Sequence, residues 1–158
     1  MKREETVDYN FKVTWHAITK MYNAYGAPFD ITASTGFVLL NIDVENGTPA
    51  TKIAPLLGME SRSLTRMLKT FEEKGWIEKK PDPVDGRSVR IFLTPLGIEK
   101  RELSRLSVKE FNRKVREEVS DDQMEVFLEV VAKINNIIDD KELFKQLKNQ
   151  LLDNEQDH

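Results

Sequence analysis

The chain has 158 residues, of which 39% are hydrophobic and 32% are charged, a composition that favours a folded protein with a core and argues against global disorder. It contains no cysteine and two histidines, His16 and His158, which excludes disulfides, thiol chemistry and a multi-histidine metal site within one chain. The net charge of -3 is small and no apolar run approaches the roughly 20 residues needed to cross a bilayer, so we expect a cytoplasmic protein without a cofactor, a metal or a membrane anchor.

Two helices are predicted in the N-terminal part of the chain. The first carries apolar side chains at intervals of three and four residues, and Gly26 and Pro28 end it. Its apolar stripe consists of Val7, Phe11, Trp15, Ile18, Tyr22 and Tyr25. The second begins near Ser34 and ends at residues 46–47. One face of this second helix holds Phe37, Leu40 and Val44.

A short helix followed by a tight turn is predicted next. Thr48 is interpreted as the N-cap and Pro49 as the first helical residue, where a missing amide hydrogen costs nothing. The apolar side of the helix is Ile53, Ala54 and Leu57. Pro55 is expected to kink or partly open the helix, because proline removes one backbone hydrogen bond. Gly58 provides the turn before a new helix that begins at residue 60 or 61.

The segment from Ser61 to Lys74 has the sharpest amphipathic pattern in the chain, and Gly75 is predicted to end this helix. Its apolar face consists of Leu64, Met67, Leu68 and Phe71. The basic side chains on the opposite face are Arg62, Arg66 and Lys69. Residues 47–97 hold nine Lys or Arg and six Asp or Glu, a charge of +3, whereas the rest of the chain carries -6. The centre is therefore basic and the flanks are acidic, which suits a module that meets phosphate through its centre.

A hairpin and two long helices complete the predicted fold. Residues 76–80 and 88–93 are predicted strands, and the prolines and Asp85–Gly86 between them indicate an exposed loop. Thr94 and Pro95 repeat the cap-plus-proline pattern and open a charged helix to about residue 118. Residues 120–123 resemble a capping box that begins the last helix, and the charged tail beyond about residue 145 is expected to fray.

A short helix, a glycine turn, an amphipathic basic helix and a hairpin form the layout of a winged helix-turn-helix. The predicted fold class is therefore mainly α with a small β-hairpin wing. The major groove of B-DNA admits one helix, whose outer face offers donors to bases and phosphates while its inner face packs on the domain. The candidate DNA-binding residues of that helix are Ser61, Arg62, Ser63, Thr65, Arg66 and Lys69.

The tip of the predicted hairpin adds a second candidate contact with DNA. Arg87 is a long cation on a thin wing, which suits entry into a minor groove, and Asp85 is placed to orient it through a salt bridge. Taken alone, each basic residue has the alternative interpretation of an ordinary solvated side chain. The combination of a basic helix with a basic wing is what favours DNA binding.

The residues from Gly47 to Gly97 resemble the MarR family of bacterial regulators. The motifs that carry the resemblance are LTRML at 64–68, EEKG at 72–75, DPVDGR at 82–87 and LTPLG at 93–97. It implies that residues 1–158 form a single MarR-like chain, with a DNA-binding winged helix-turn-helix at 47–97 and dimerisation helices at 5–26 and 98–150. It further implies a homodimer on a palindromic operator, often released by a small aromatic ligand. Many relatives have arginine at the position of Gly86, so fewer wing contacts are expected here.

Apolar residues of the first and last helices are predicted to form the dimer interface, because a monomer cannot readily cover them. These residues are Phe11, Trp15, Phe127, Val131, Ile134 and Ile138. The resemblance also implies an effector pocket in the cleft where the first, second and fifth helices meet the DNA-binding region, with Trp15, His16, Met21 and Tyr22 as its candidate lining. Core or dimer packing is the competing explanation for Trp15 and Tyr22, and His16 suits the surface equally well.

Two other classes of function compete with a ligand-responsive repressor. One is a protein-protein interaction module whose basic helix faces an acidic partner. The other is an enzyme, which has little support because the sequence contains no phosphate-binding glycine loop, nucleophile elbow or metal-ligand set. A DNA-binding regulator without enzymatic activity is therefore the preferred prediction.

Overall fold

A computed structural model describes residues 1–140, 142–145, 148–149 and 152. Within these residues the helices are α1 (Val7–Gly26), α2 (Ala33–Leu40), α3 (Ala50–Leu56), α4 (Ser61–Glu73), α5 (Pro95–Glu118) and α6 (Asp121–Ile138), and the strands are β1 (Thr48–Pro49), β2 (Ile77–Pro81) and β3 (Val89–Leu93). The predicted helical fold with a hairpin wing is confirmed. The predicted fraying of the tail, and parts of the predicted dimerisation segment 98–150, lie outside the described residues.

The chain separates into two units, Met1–Phe111 and Asn112–His158. The first unit contains α1 to α4, the sheet and the first part of α5, and the second contains the end of α5 together with α6. The sheet has the strand order β1-β3-β2 and both pairs are antiparallel. All described strands lie in the first unit. Residues 47–97, the predicted winged helix-turn-helix, therefore also lie wholly within the first unit.

The hydrophobic core of the first unit forms where α2, α3 and α4 meet the sheet. Its members include Val38, Leu39, Ile42, Ile53, Leu64, Leu68, Phe71, Trp76, Ile77 and Ile91. The predicted inner face of α4 is confirmed, because Leu64, Leu68 and Phe71 are buried and Met67 is half-buried. Burial of this face leaves the opposite face of α4 in solvent.

The end of α4 is fixed by its backbone and by an aromatic contact. The Trp76 amide donates to the Phe71 carbonyl at 2.8 Å, and Gly75 between them has a φ of 69°. The two rings pack with centroids 5.1 Å apart. Gly58 has a φ of 59° and ends α3 with the same hydrogen-bond pattern. Glycine adopts this left-handed conformation without strain, so both predicted glycine stops are confirmed.

The predicted helix start at Thr48 and Pro49 is wrong. Both residues form β1, in which Thr48 pairs with Ile91 of β3, and the helix begins only at Ala50. The Thr48 hydroxyl accepts from the Asp43 amide at 2.9 Å instead of capping α3. The fold therefore has a third strand that the sequence did not indicate.

The predicted extent of the second helix is also wrong. α2 ends at Leu40, well before the predicted stop at residues 46–47. The Asn41 side chain donates to a carbonyl of the last turn, and the Asp43 carboxylate accepts from two amides that follow it at 2.9 and 2.7 Å. These local bonds replace helical ones. Val44 consequently lies outside the helix and is exposed.

Other predicted helix boundaries are confirmed. The Thr94 hydroxyl accepts from the Gly97 amide at 3.1 Å at the start of α5. The capping box of α6 is formed by Ser120 and Gln123. α3 stays helical through Pro55 and ends at the next residue, so the expected opening of the helix at this proline is not observed.

Replacing Phe71 with alanine tests the dependence of the fold on the inner face of α4. Because Phe71 is fully buried, Phe71→Ala should lower the free energy of unfolding by about 3 to 5 kcal/mol. The exposed neighbour Thr70 provides the control, and Thr70→Ala should change this free energy by no more than about 0.5 kcal/mol. Urea denaturation at a fixed protein concentration measures both. Equal effects of the two substitutions would contradict the assignment of the core.

Candidate nucleic-acid interface

The outer face of α4 presents cations to solvent. Arg62 and Arg66 are exposed, and neither forms an ion pair with another described residue. Lys69 lies near Glu73 at 3.8 Å, and both side chains are largely exposed, so water screens this pair. Because α4 packs on α3 and β2 through its buried side, its cations are held outward by the core rather than by their own contacts.

The small polar candidates lie at the N-terminal end of the same face. Ser61, Ser63 and Thr65 are all exposed. The Thr65 hydroxyl donates to the Ser61 carbonyl at 2.8 Å, so it remains available as an acceptor. Glu60, the N-cap residue, makes no side-chain cap. Within the described part of the chain, the first amides of α4 therefore have no side-chain partner, and they lie at the positive end of the helix dipole.

Asp82 organises the tip of the wing and was not among the predicted site residues. Its carboxylate is buried and accepts from the amides of Val84 at 2.8 Å and Asp85 at 3.1 Å. These two amides, followed by the Arg90 guanidinium, hold the pKa of Asp82 below its ordinary value. The available signal was an aspartate directly before a loop proline, a common turn position, but its burial is not visible in the sequence.

Arg90 is the second residue that sequence reasoning did not single out. Its Nε donates to the Asp82 carboxylate at 2.9 Å, and its Nη1 donates to the carbonyls of Asn46 at 3.0 Å and Gly47 at 3.4 Å. In the sequence it was one of nine basic residues in the central region. In the structure it joins the wing to the loop that precedes β1.

The predicted salt bridge between Asp85 and Arg87 is not formed. The Asp85 carboxylate accepts instead from the Arg87 backbone amide at 3.1 Å and from the Ser88 hydroxyl at 2.8 Å. Both carboxylate oxygens of Asp85 are thus bonded within the turn at the wing tip. Among the described residues the Arg87 guanidinium has no ionic partner, and the side chain is exposed at the wing tip.

A small cavity in the first unit lies among aromatic side chains. Residues that line it include Tyr22, Tyr25, Phe29, Phe37, Leu40 and Leu103. Its volume is about 20 Å³, room for about one water molecule. Of the four predicted pocket residues, only Tyr22 lines the cavity, and burial raises the pKa of its phenol. Trp15, His16 and Met21 are exposed, and Trp15 stacks on Phe37 with centroids 5.5 Å apart.

The residues predicted for a dimer interface leave apolar surface uncovered in each unit. On α1, Phe11 and Trp15 are exposed. On α6, Phe127 and Ile138 are exposed, and the remaining two are half-buried. α6 has no buried residue. Such apolar stripes on otherwise polar helices are typical of surfaces that another protein chain covers.

The described part of the chain contains neither of two further classes of site. No helix there is long and apolar enough to span a membrane. No cluster of three or more acidic or histidine side chains in these residues is arranged to hold a metal ion.

Comparison with known proteins identifies the family. The sequence model of the MarR family matches residues 31–89. The multiple antibiotic resistance protein MarR of Salmonella typhimurium is 38% identical over 78 residues, which are 49% of this chain and 54% of that protein. The match thus spans about half the length of this relative. The transcriptional regulator SarZ of Staphylococcus saprophyticus is 33% identical over 110 residues, 69% of this chain and 75% of that protein.

A solved structure agrees with these relatives. The transcriptional repressor CouR, bound to a 23-mer DNA duplex, superposes with a TM-score of 0.71 and 25% identity over 84% of this chain and 94% of that chain. The family resemblance that the sequence predicted is confirmed. The chain belongs to the MarR family of winged-helix transcriptional regulators.

Proposed function

We propose that this protein is a transcriptional regulator that binds double-stranded DNA sequence-specifically. The observation that carries the proposal is α4, which buries one side in the core and directs Arg62 and Arg66 outward, with no ionic partner for either among the residues that the structure describes. A face of this kind suits insertion into the major groove, where guanidinium groups bond guanine edges or phosphates. The three small hydroxyl side chains at the start of α4 add shorter hydrogen bonds, and Lys69 reaches the DNA backbone.

The wing supplies the second contact in this proposal. Arg87 enters a minor groove beside the site of α4, where a narrow groove concentrates negative potential. Asp85 supports it by binding the backbone of the same turn. The regulators MarR and SarZ among the relatives, and the DNA duplex in the CouR structure, support this assignment.

The proposed assembly is a homodimer on a palindromic operator. A second copy covers the apolar residues of α1 and α6. Their packing sets the distance between the two winged helix-turn-helix regions of the dimer. Half-sites for such dimers lie about one helical turn apart, roughly 34 to 36 Å. We further propose that the protein acts as a repressor in the cytoplasm and has no enzymatic activity.

A small aromatic effector completes the proposal. The cavity is lined by aromatic and aliphatic side chains, which suits an apolar ring, but its volume is far below that of such a ring. A ligand must therefore displace lining residues when it enters. Phe37 lines the cavity and stacks on Trp15, so this displacement should change the environment of the indole.

Substitution of the proposed contacts should weaken DNA binding. With duplexes selected from a random pool, Arg66→Ala and Arg87→Ala should each raise Kd about tenfold, because each guanidinium contributes about 1 to 3 kcal/mol. Lys109→Ala removes the same charge from an exposed position on α5 and should leave Kd unchanged. Fluorescence anisotropy across a salt series measures these effects. Unchanged Kd for both folded arginine variants would exclude the assigned contacts, and failure to select any sequence would favour the protein-protein module.

A charged substitution on α6 should separate the proposed dimer. Phe127→Glu places a carboxylate on the exposed apolar stripe, where burial against a second copy would strand its charge. Sedimentation should find the wild type as a dimer and this variant as a monomer with weakened operator binding. Glu129→Gln on the same helix should remain dimeric. A wild-type monomer at micromolar concentration would rule out the assembly.

Titration with an aromatic carboxylate tests the effector proposal. Benzoate should alter the fluorescence of Trp15 and release bound DNA over the same concentration range. Trp15→Phe keeps an aromatic ring next to Phe37 and should lose the fluorescence change while retaining DNA release. If benzoate and larger aromatic acids leave both signals flat, the cavity is not the effector site.

A further inference from the structure

The tip of the wing extends beyond the part of the sheet that has three strands. β1 contributes only two residues and pairs with Ile91 and Arg90 of β3. Beyond Arg90, only β2 and β3 remain, paired at Pro81 and Val89. A two-stranded hairpin is marginally stable by itself. The wing tip therefore needs another restraint if Arg87 is to have a defined position.

Arg90 supplies this restraint at the last three-stranded position. Its Nε bonds the Asp82 carboxylate of the wing, and its Nη1 bonds the carbonyls of Asn46 and Gly47 in the loop before β1. A planar guanidinium has several donors in fixed directions, so a single side chain serves both groups at once. The Arg90 side chain is 19% exposed and that of Asp82 is 6% exposed, so both are largely shielded from solvent.

Asp82 carries the restraint from Arg90 to the wing tip. Its second carboxylate oxygen accepts the Val84 and Asp85 amides, and its own amide donates to the Ser88 carbonyl at 2.9 Å. Asp85 in turn accepts the backbone amide of Arg87. An unbroken series of hydrogen bonds thus links the backbone of the wing-tip arginine to Arg90.

The loop at the other end of the series is itself well fixed. The Asp43 carboxylate accepts two amides of this loop. Gly47 has a φ of 63°, and a Cβ there would lie 2.6 Å from the Ile91 carbonyl oxygen, so the loop lies directly against β3. Arg90 consequently anchors the wing to a firm support.

We propose that Arg90 and Asp82 are positioning residues for DNA recognition, which hold the wing so that Arg87 reaches the groove. This role requires no contact of either residue with DNA, because Nε and Nη1 of Arg90 and both carboxylate oxygens of Asp82 are bonded within the protein. The inference rests on the proposed function, since it assigns a cause to the placement of one proposed DNA contact.

Asp82 is negatively charged, so its neutralisation tests the proposal by whether DNA affinity rises or falls. Replacing a carboxylate near DNA with a neutral amide should strengthen binding if only long-range electrostatics matters. A positioning role predicts the opposite result. In Asp82→Asn the amide oxygen still accepts from Val84 and Asp85, but an amide NH₂ meets the Nε–H donor of Arg90, so the link to the loop is lost.

We expect Asp82→Asn to raise the Kd for selected duplex DNA about tenfold, which corresponds to about 1.4 kcal/mol. Glu78→Gln is the matched control, because Glu78 is an exposed residue of β2 whose substitution removes the same charge from the same hairpin. This control should bind DNA as tightly as the wild type or slightly more tightly. Arg90→Lys keeps the positive charge but lacks the planar fork, and it should weaken binding as Asp82→Asn does.

A double-mutant cycle with Arg87→Ala separates positioning from general destabilisation. If Asp82 acts by placing Arg87, the double variant should bind DNA no more weakly than Arg87→Ala alone. A general loss of structure would lower affinity in both backgrounds by the same factor. Footprints should show lost protection at the wing position and retained protection where α4 binds.

The outcomes distinguish this inference from the function on which it rests. Unchanged or tighter binding by Asp82→Asn, or fully additive losses in the cycle, would overturn the positioning role while Arg66→Ala still weakened binding. Absence of selective DNA binding by the wild type would instead remove the proposed function, and the inference with it. The positioning role is supported if Asp82→Asn weakens DNA binding only when Arg87 is present and Glu78→Gln binds as the wild type does.

Discussion

The architecture of the first unit depends on the burial of one side of α4. Leu64, Leu68 and Phe71 are held in a core to which α2, α3 and the sheet all contribute. Burying apolar side chains of this size provides about 1.5 to 3 kcal/mol each, far more than exposed charge pairs contribute. The rotation of α4 is therefore set by its apolar side, and its arginines face outward as a consequence. The proposed recognition chemistry is thus assigned to residues that add little to the stability of the fold.

The wing is positioned by a different kind of interaction. Where α4 is held by apolar burial, the wing tip is held by a shielded ion pair and backbone hydrogen bonds around Asp82 and Arg90. A shielded carboxylate is tolerated only when its oxygens are bonded, so these groups form a unit in which each requires the others. Because the pKa of Asp82 is held low, its stabilising contribution is present above the ordinary aspartate pKa. It is lost as the pH falls below that value through the lowered pKa, so the unit is intact at neutral pH.

Sequence patterns predicted the features that depend on neighbouring residues. The two faces of α4, the glycine stops and the capping box of α6 all involve residues within a few positions of one another. Two of the features that were missed depend on distant partners. Thr48 became a strand residue because it pairs with Ile91, and Arg90 became a link because it meets the carbonyl of Asn46. A single sequence gives the chemical type of such residues but not the partner, and hence not the role.

The cavity and the wing are connected by a short route through the first unit. Phe37 of α2 lines the cavity, and α2 leads directly into the loop whose carbonyls bind Arg90. At the other rim, Asp30 pairs with Lys74 at the end of α4, and the Phe29 carbonyl accepts from Lys100 of α5. A ring-sized ligand must displace lining side chains, because the cavity holds only about one water molecule. Any such displacement acts on segments bonded to both proposed DNA-contacting elements, α4 and the wing. A change in their geometry would lower the affinity for DNA without blocking the DNA-binding surface.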